Sequence, residues 1–146
     1  MSEKSLAVDA WEALFRAQVS VLRQLNLEFP TGELSFNEYD VLFNLSRQPG
    51  RKLRLRDLNK HLLLTQPSVS RLVDRLVEQK LVVKESDPGD GRGTIVCLTN
   101  AGHELFRRVA VVHAESIARR VGGSLSAAEL QQLTVLTDKL RLGPSA

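Results

Sequence analysis

A helix-forming segment, Thr65 to Lys80, runs directly into a strand–turn–strand segment, Leu81 to Leu98. This junction constrains the fold more than any other feature of the chain. Val69, Leu72, Val73, Leu76 and Val77 recur at helical spacing, so one face of the first segment packs and the other meets water. Thr65 is a favourable N-cap, and Pro67 in the first turn loses no hydrogen bond. Leu81–Glu85 reads as a strand and Asp87–Gly93 as a glycine-rich turn. Thr94–Leu98, rich in β-branched residues, reads as the returning strand, which completes a hairpin.

Helices account for most of the remainder. From about Leu6 to Leu27, Trp11, Leu14, Phe15, Val21, Leu22 and Leu25 form a broad apolar stripe, ended by Phe29-Pro30-Thr31-Gly32. Ser35 with Glu38 three residues on predicts a capping box, because each side chain can satisfy an amide at the other's position. The helix it opens carries Phe36, Tyr39, Leu42, Phe43 and Leu45 and stops at Gln48-Pro49-Gly50. Arg51–Arg54 is strand-like and leads into a third helix near Leu55–Leu63. Thr99 caps a long helix, roughly Asn100 to Val121, and Ser126 with Glu129 opens a last one through Leu140. The expected fold is mainly α with a small β-hairpin wing, a winged helix-turn-helix with a helical region drawn from both termini. Residues 35–98 form the expected DNA-binding domain, and residues 1–34 with 99–146 the helical dimerisation region.

The net charge of +3 over 146 residues becomes informative once it is located. Between Arg51 and Arg92 there are ten Lys/Arg and six Asp/Glu, whereas the remaining residues carry ten and eleven. The positive charge therefore lies in the helix-and-hairpin segment, as expected of a polyanion-binding module. No apolar run reaches the roughly 18 residues that cross a bilayer. The N-terminus lacks the apolar core of a signal peptide, and a lone cysteine, Cys97, excludes an internal disulfide framework; a reducing cytoplasm is the expected compartment.

On the face opposite its Leu/Val stripe, the 65–80 helix presents Gln66, Ser68, Ser70, Arg71 and Arg75, with Asp74 between them. Arginine can bond guanine in a bidentate manner, glutamine can bond adenine, and serine hydroxyls reach phosphates or bases. Arg92, at the tip of a turn too small to fold inward, is placed to enter an adjacent minor groove. Asp90 is placed to orient that guanidinium. The expected DNA-contacting set is Arg54, Thr65, Gln66, Pro67, Ser68, Ser70, Arg71, Arg75, Asp90 and Arg92. Arg75 has a structural alternative, pairing with Asp74, Glu78 or an acid of the wing.

Thr65-Gln66-Pro67-Ser68-Val69-Ser70-Arg71-Leu72-Val73-Asp74-Arg75-Leu76 resembles the recognition helix of the MarR family of transcriptional regulators. Asp90-Gly91-Arg92, followed by Val96-Cys97-Leu98-Thr99-Asn100-Ala101-Gly102, resembles that family's wing running into its long helix. Ser126-Ala127-Ala128-Glu129-Leu130 resembles the start of its last helix. The resemblance spans Trp11 to Leu140. It implies a homodimer held by the first and last two helices, bound to a pseudo-palindromic operator, repressing transcription and released by a small ligand. Lys80 departs from the pattern, since the family has glycine before the leucine that opens the strand. Lysine takes a positive φ there only at a cost.

The resemblance also suggests a ligand. In the branch of the family that responds to urate and related aromatic anions, a tryptophan, an aspartate, a recognition-helix arginine and a basic residue of the first wing strand define a pocket. Trp11, Asp40, Arg71 and Lys84 stand at about those places, with lysine replacing an arginine that would grip an anion by two bonds. The structural alternative makes Trp11 dimer core and packs Asp40 at a helix surface. Cys97, alternating with Val96 and Leu98, reads as an inert, partly buried thiol. His61, His103 and His113 show no metal-ligand spacing, and no nucleophile–base–acid set is evident, so neither cofactor nor metal nor enzymatic activity is expected. The rival class is a winged-helix protein-interaction module, against which the basic segment and Arg92 argue.

Overall fold

The computed structural model describes residues 1–62 and 69–144. The elements run α1 (Glu3–Glu28), α2 (Phe36–Ser46), a short 3-10 turn (Pro49–Arg51), β1 (Lys52–Arg54), α3 (Leu55–His61), α4 (Val69–Glu78), β2 (Val82–Asp87), β3 (Asp90–Leu98), α5 (Asn100–Gly122) and α6 (Ala127–Leu142). The three strands form one antiparallel sheet in the order β1-β3-β2. This is the mainly helical winged-helix architecture that the periodicity predicts, with the strand-like 51–54 piece joining the wing as a third strand.

Local chemistry sets the helix ends. Ser35 Oγ accepts the Glu38 N–H, and Glu38 Oε1 accepts the Ser35 N–H in return, so the capping box at α2 is complete. Ser126 and Glu129 repeat it at α6. Thr99 Oγ1 accepts the Gly102 N–H at the start of α5. Each such cap stabilises its helix by about 1 kcal/mol.

The chain divides into two compact units: Met1–Glu28 with His113–Ala146, and Phe29–Val112. The second holds the core. Leu34, Val41, Leu42, Leu45, Leu58, Leu72, Val73, Leu76, Val82 and Val96 are all fully buried there. At roughly 1.5–3 kcal/mol per buried aliphatic side chain, this cluster dominates the stability of the lobe. Phe29, Tyr39, Phe36, Phe43 and Phe106 extend it as a chain of ring contacts, with centroids 4.7–6.3 Å apart. In the first unit α1 and α6 bury no side chain. Glu28, at the end of α1, is gripped there by Arg119 and Arg120 of α5.

The joint between α4 and the wing is a left-handed turn. Lys80 has φ +63°. The Lys80 N–H bonds the Val77 carbonyl and the Leu81 N–H bonds that of Leu76, the paired bonds of a Schellman C-cap. The lysine thus occupies the conformation that glycine adopts most cheaply, and the turn geometry survives the departure noted in the sequence.

Candidate nucleic-acid interface

Helix α4 separates its two faces as the sequence pattern requires. Leu72, Val73 and Leu76 are buried, while Ser70, Arg71, Asp74 and Arg75 are exposed. Thr65, Gln66, Pro67 and Ser68, expected to begin this helix and to contact DNA, lie outside the described residues. An acid between two arginines would repel phosphate, but Asp74 is paired with Lys84 of β2. That pair also ties the helix to the wing strand. Among the described residues Arg75 makes no ion pair, so the structural alternative for it gains no support from Asp74 or Glu78.

The wing departs from its expected form in one respect. Asp87–Gly93 does not form a long turn: β2 runs to Asp87, β3 begins at Asp90, and only Pro88 and Gly89 connect them. A bulge between Ser86 and Asp87 lets the ladder continue, and Asp87 pairs with Asp90 across the strands. Glycine has low strand propensity, and the register reflects it: Ser86 pairs with Thr94 and Asp87 with Asp90, so residues 91–93 are the bulged stretch of β3 without a partner on β2. Arg92 consequently lies within β3, not at the tip, and remains exposed.

Asp90 is also used differently from the expectation. Its Oδ1 accepts the backbone N–H of Arg92 at 3.1 Å, and its Oδ2 lies 3.9 Å from Nη1 of Arg56. It shapes the wing backbone at Arg92. Arg54 stands at the junction of β1 and α3, with its Nε 2.7 Å from Asp87 Oδ2. Asp87 and Arg56 were not among the residues singled out from the sequence. A buried acid in an apparently solvated turn gives no periodic signal, and Arg56 is one cation among several in a basic segment.

The four residues of the suggested ligand set fall in both units. Trp11, in the Met1–Glu28 unit, is 59% exposed and meets Phe15 edge to face at 5.4 Å. Asp40 is buried, not at a helix surface, and Asn44 Nδ2 donates to its Oδ1 at 3.0 Å. Arg71 is exposed on α4, and Lys84 is occupied by Asp74. A concavity of about 780 Å³ follows α1 past Trp11, Phe15 and Val19. Because a single helix lines it, it is an open flank and encloses nothing.

Cys97 is half-buried in β3, and burial followed by nearby Glu85 pushes its pKa up, which disfavours the reactive thiolate. No group of three His, Cys, Asp or Glu side chains suited to a metal ion occurs among the described residues. Among the described residues no helix is long and apolar enough to cross a membrane.

The MarR family model matches residues 33–93, the segment from the α2 cap to the wing. The uncharacterized HTH-type transcriptional regulator YkoM of Bacillus subtilis is 36% identical over 109 residues, covering 73% of this chain and 69% of that protein. The crystal structure of Sco3205, a MarR family regulator from Streptomyces coelicolor in complex with DNA, superposes with a TM-score of 0.76 at 26% identity, over 99% of this chain and 92% of that one. Bordetella bronchiseptica BpsR, whose DNA binding is regulated by 6-hydroxynicotinic acid, superposes with a TM-score of 0.73 at 28% identity, over 91% and 93% of the two chains. These relatives of the chain are transcriptional regulators. With its helix, wing and flanking helices all matched, the chain belongs to the MarR family of DNA-binding transcriptional regulators.

Proposed function

We propose that this protein is a homodimeric, sequence-specific repressor that leaves its operator when a small aromatic or phenolic acid binds. The observation that carries the DNA reading is the exposed Ser70–Arg71–Arg75 face of α4 coupled, through Lys84–Asp74, to a wing that displays Arg92. Arg71 reads a base edge, Arg92 enters the minor groove, and Thr65, Gln66, Pro67, Ser68, Ser70 and Arg75 complete the groove contacts. Asp90 contributes by shaping the wing.

A dimer is supported by the helical ends. Trp11, Phe15, Leu133, Leu136 and Leu140 are 39–65% exposed, an apolar area that a second copy would cover. Two recognition helices then lie roughly 34 Å apart and read half-sites about 10 bp apart, centre to centre. A regulator of this kind works in the cytoplasm, beside the genes it controls.

The ligand reading draws on the four residues Trp11, Asp40, Arg71 and Lys84 and on the aromatic acid that regulates the relative BpsR. A ligand carboxylate that engages Lys84 competes with Asp74 for its ammonium, which connects anion binding to the recognition helix. The test starts by selecting an operator from random-sequence duplexes with the full-length protein. Urate, salicylate and related phenolic acids are then titrated against that complex, with sedimentation measuring the stoichiometry. Selection of a two-fold motif by a dimer, and its release by one of these acids, is the expected result. Failure to enrich any sequence overturns the DNA reading, and no release at millimolar acid overturns the ligand.

A further inference from the structure

We infer that Arg54 is a positioning residue that locks the wing through Asp87, and that it does not itself touch DNA. This rests on the DNA-binding reading of the wing given above.

The N-cap of α3 is where a short polar side chain is most useful, since Ser, Thr, Asp or Asn there satisfies an amide of the first turn. This chain has Arg54 at that cap, and its side chain makes no capping hydrogen bond. The arginine forgoes the cap and turns to the wing. Its Nε lies 2.7 Å from Oδ2 of Asp87, as an ion pair off the line of an ideal hydrogen bond. Asp87 is only 4% exposed although it sits beside a surface turn. Its other oxygen, Oδ1, accepts the Gly89 N–H at 2.9 Å. A carboxylate removed from water needs a countercharge, and Arg54 supplies it.

The turn is built around this pair. A Cβ at Gly93 would come within 3.0 Å of the Asp87 Cβ and 3.3 Å of its Oδ2. A Cβ at Gly89 would stand 3.5 Å from Asp87 Oδ1 and 3.8 Å from an Arg54 Nη. Gly93 of β3 therefore closes over Asp87 where a side chain would crowd it, and Gly89 of the turn lies within van der Waals reach of the pair. Arg54 is also paired with Ile95 in the β1–β3 ladder, so its backbone is fixed on the sheet whose far end carries Arg92. The pair joins the start of α3, the bulge at Ser86/Asp87 and the turn into a single support beneath Arg92.

A contact residue and a positioning residue give different results when Asp87 is changed. Asp87→Asn keeps an acceptor for Gly89 but removes the charge that holds Arg54. If Arg54 positions the wing, Arg54→Ala and Asp87→Asn each weaken binding to the selected operator by about tenfold, the scale of one lost groove contact. The double variant is then no weaker than either single one, and amide exchange across residues 87–93 accelerates in both proteins without DNA. If Arg54 contacts DNA directly, Arg54→Ala alone weakens binding, Asp87→Asn leaves it equal or tighter, and wing exchange is unchanged; that outcome overturns the inference. Arg54→Lys, which keeps the charge, is expected to restore part of the wing protection. Should Arg54→Ala fail to fold, Asp87→Asn and Arg54→Lys carry the comparison. If the wild type binds no duplex, the DNA reading falls, while the exchange of residues 87–93 still decides whether the pair holds the wing.

Discussion

Gly102 of α5 lies directly against the backbone of Leu81: a Cβ at that glycine would stand 2.1 Å from the Leu81 carbonyl oxygen. The same carbonyl accepts the Thr99 N–H at 3.1 Å, and the Thr99 hydroxyl lies 2.9 Å from the Lys80 carbonyl and 3.0 Å from that of Leu81. The end of the recognition helix, the start of the wing and the start of the long helix thus meet at one point. Gly102→Ala gains about 1 kcal/mol of helix propensity but forces a methyl into a carbonyl oxygen. Overpacking against backbone costs about 1–3 kcal/mol or more, so the clash wins. Urea unfolding is expected to show net destabilisation, and an alanine variant as stable as the wild type would mean the helix and the turn can separate freely.

Lys80 gives the opposite expectation. Its φ of +63° costs a non-glycine residue roughly 1–2 kcal/mol. Glycine relieves that strain but adds unfolded-state entropy worth about 0.4–1 kcal/mol. Lys80→Gly should therefore stabilise the protein by up to about 1 kcal/mol, measured as a higher urea midpoint with an unchanged slope.

Arg71 and Arg92 should fail in distinguishable ways. Arg71→Ala is expected to cost about 1–3 kcal/mol and to relax preference at one operator position. Arg92→Ala should weaken all sequences more evenly and lower the salt slope by about one unit. Binding to the selected operator at several salt concentrations checks both; if neither variant loses affinity, the groove assignment is wrong.

His113 makes stability depend on pH. It is 7% exposed, and burial holds its imidazole below the ordinary value of 6.5. In the unfolded chain it protonates as pH falls through that value, while the folded form resists. Above it both states are neutral and the residue contributes no dependence. Wild-type stability should therefore decline on going from pH 7.5 to pH 5.5, and His113→Leu should show a shallower decline at the same protein concentration. His103, lowered by burial and by Arg51 and Arg107, acts in the same direction and remains in the variant. Equal pH slopes for the two proteins would show that His113 is not responsible.

The periodic elements were legible because their causes are local. The capping boxes Ser35/Glu38 and Ser126/Glu129 each span four residues, and a Leu/Val stripe such as Leu72-Val73-Leu76 announces its buried face wherever it sits. The glycine-rich wing was legible as a turn and illegible as strand, because the pairing of Asp87 with Asp90 depends on the opposite strand and not on glycine's own preference. The suggested ligand residues had separate fates for the same reason. Lys84 is engaged by Asp74, ten residues away, and Asp40 by Asn44, one turn along its own helix.

The sequence by itself determined that a helix with one apolar face passes into a hairpin, and that the positive charge lies in that segment. Spacing and residue type suffice for both. Only the tertiary structure decided which charges remain available. Asp74 is answered by Lys84 and Asp87 by Arg54, while Asp90 is spent on the Arg92 backbone. Ion pairs act over a few ångströms in space, and no pattern along the chain encodes that distance.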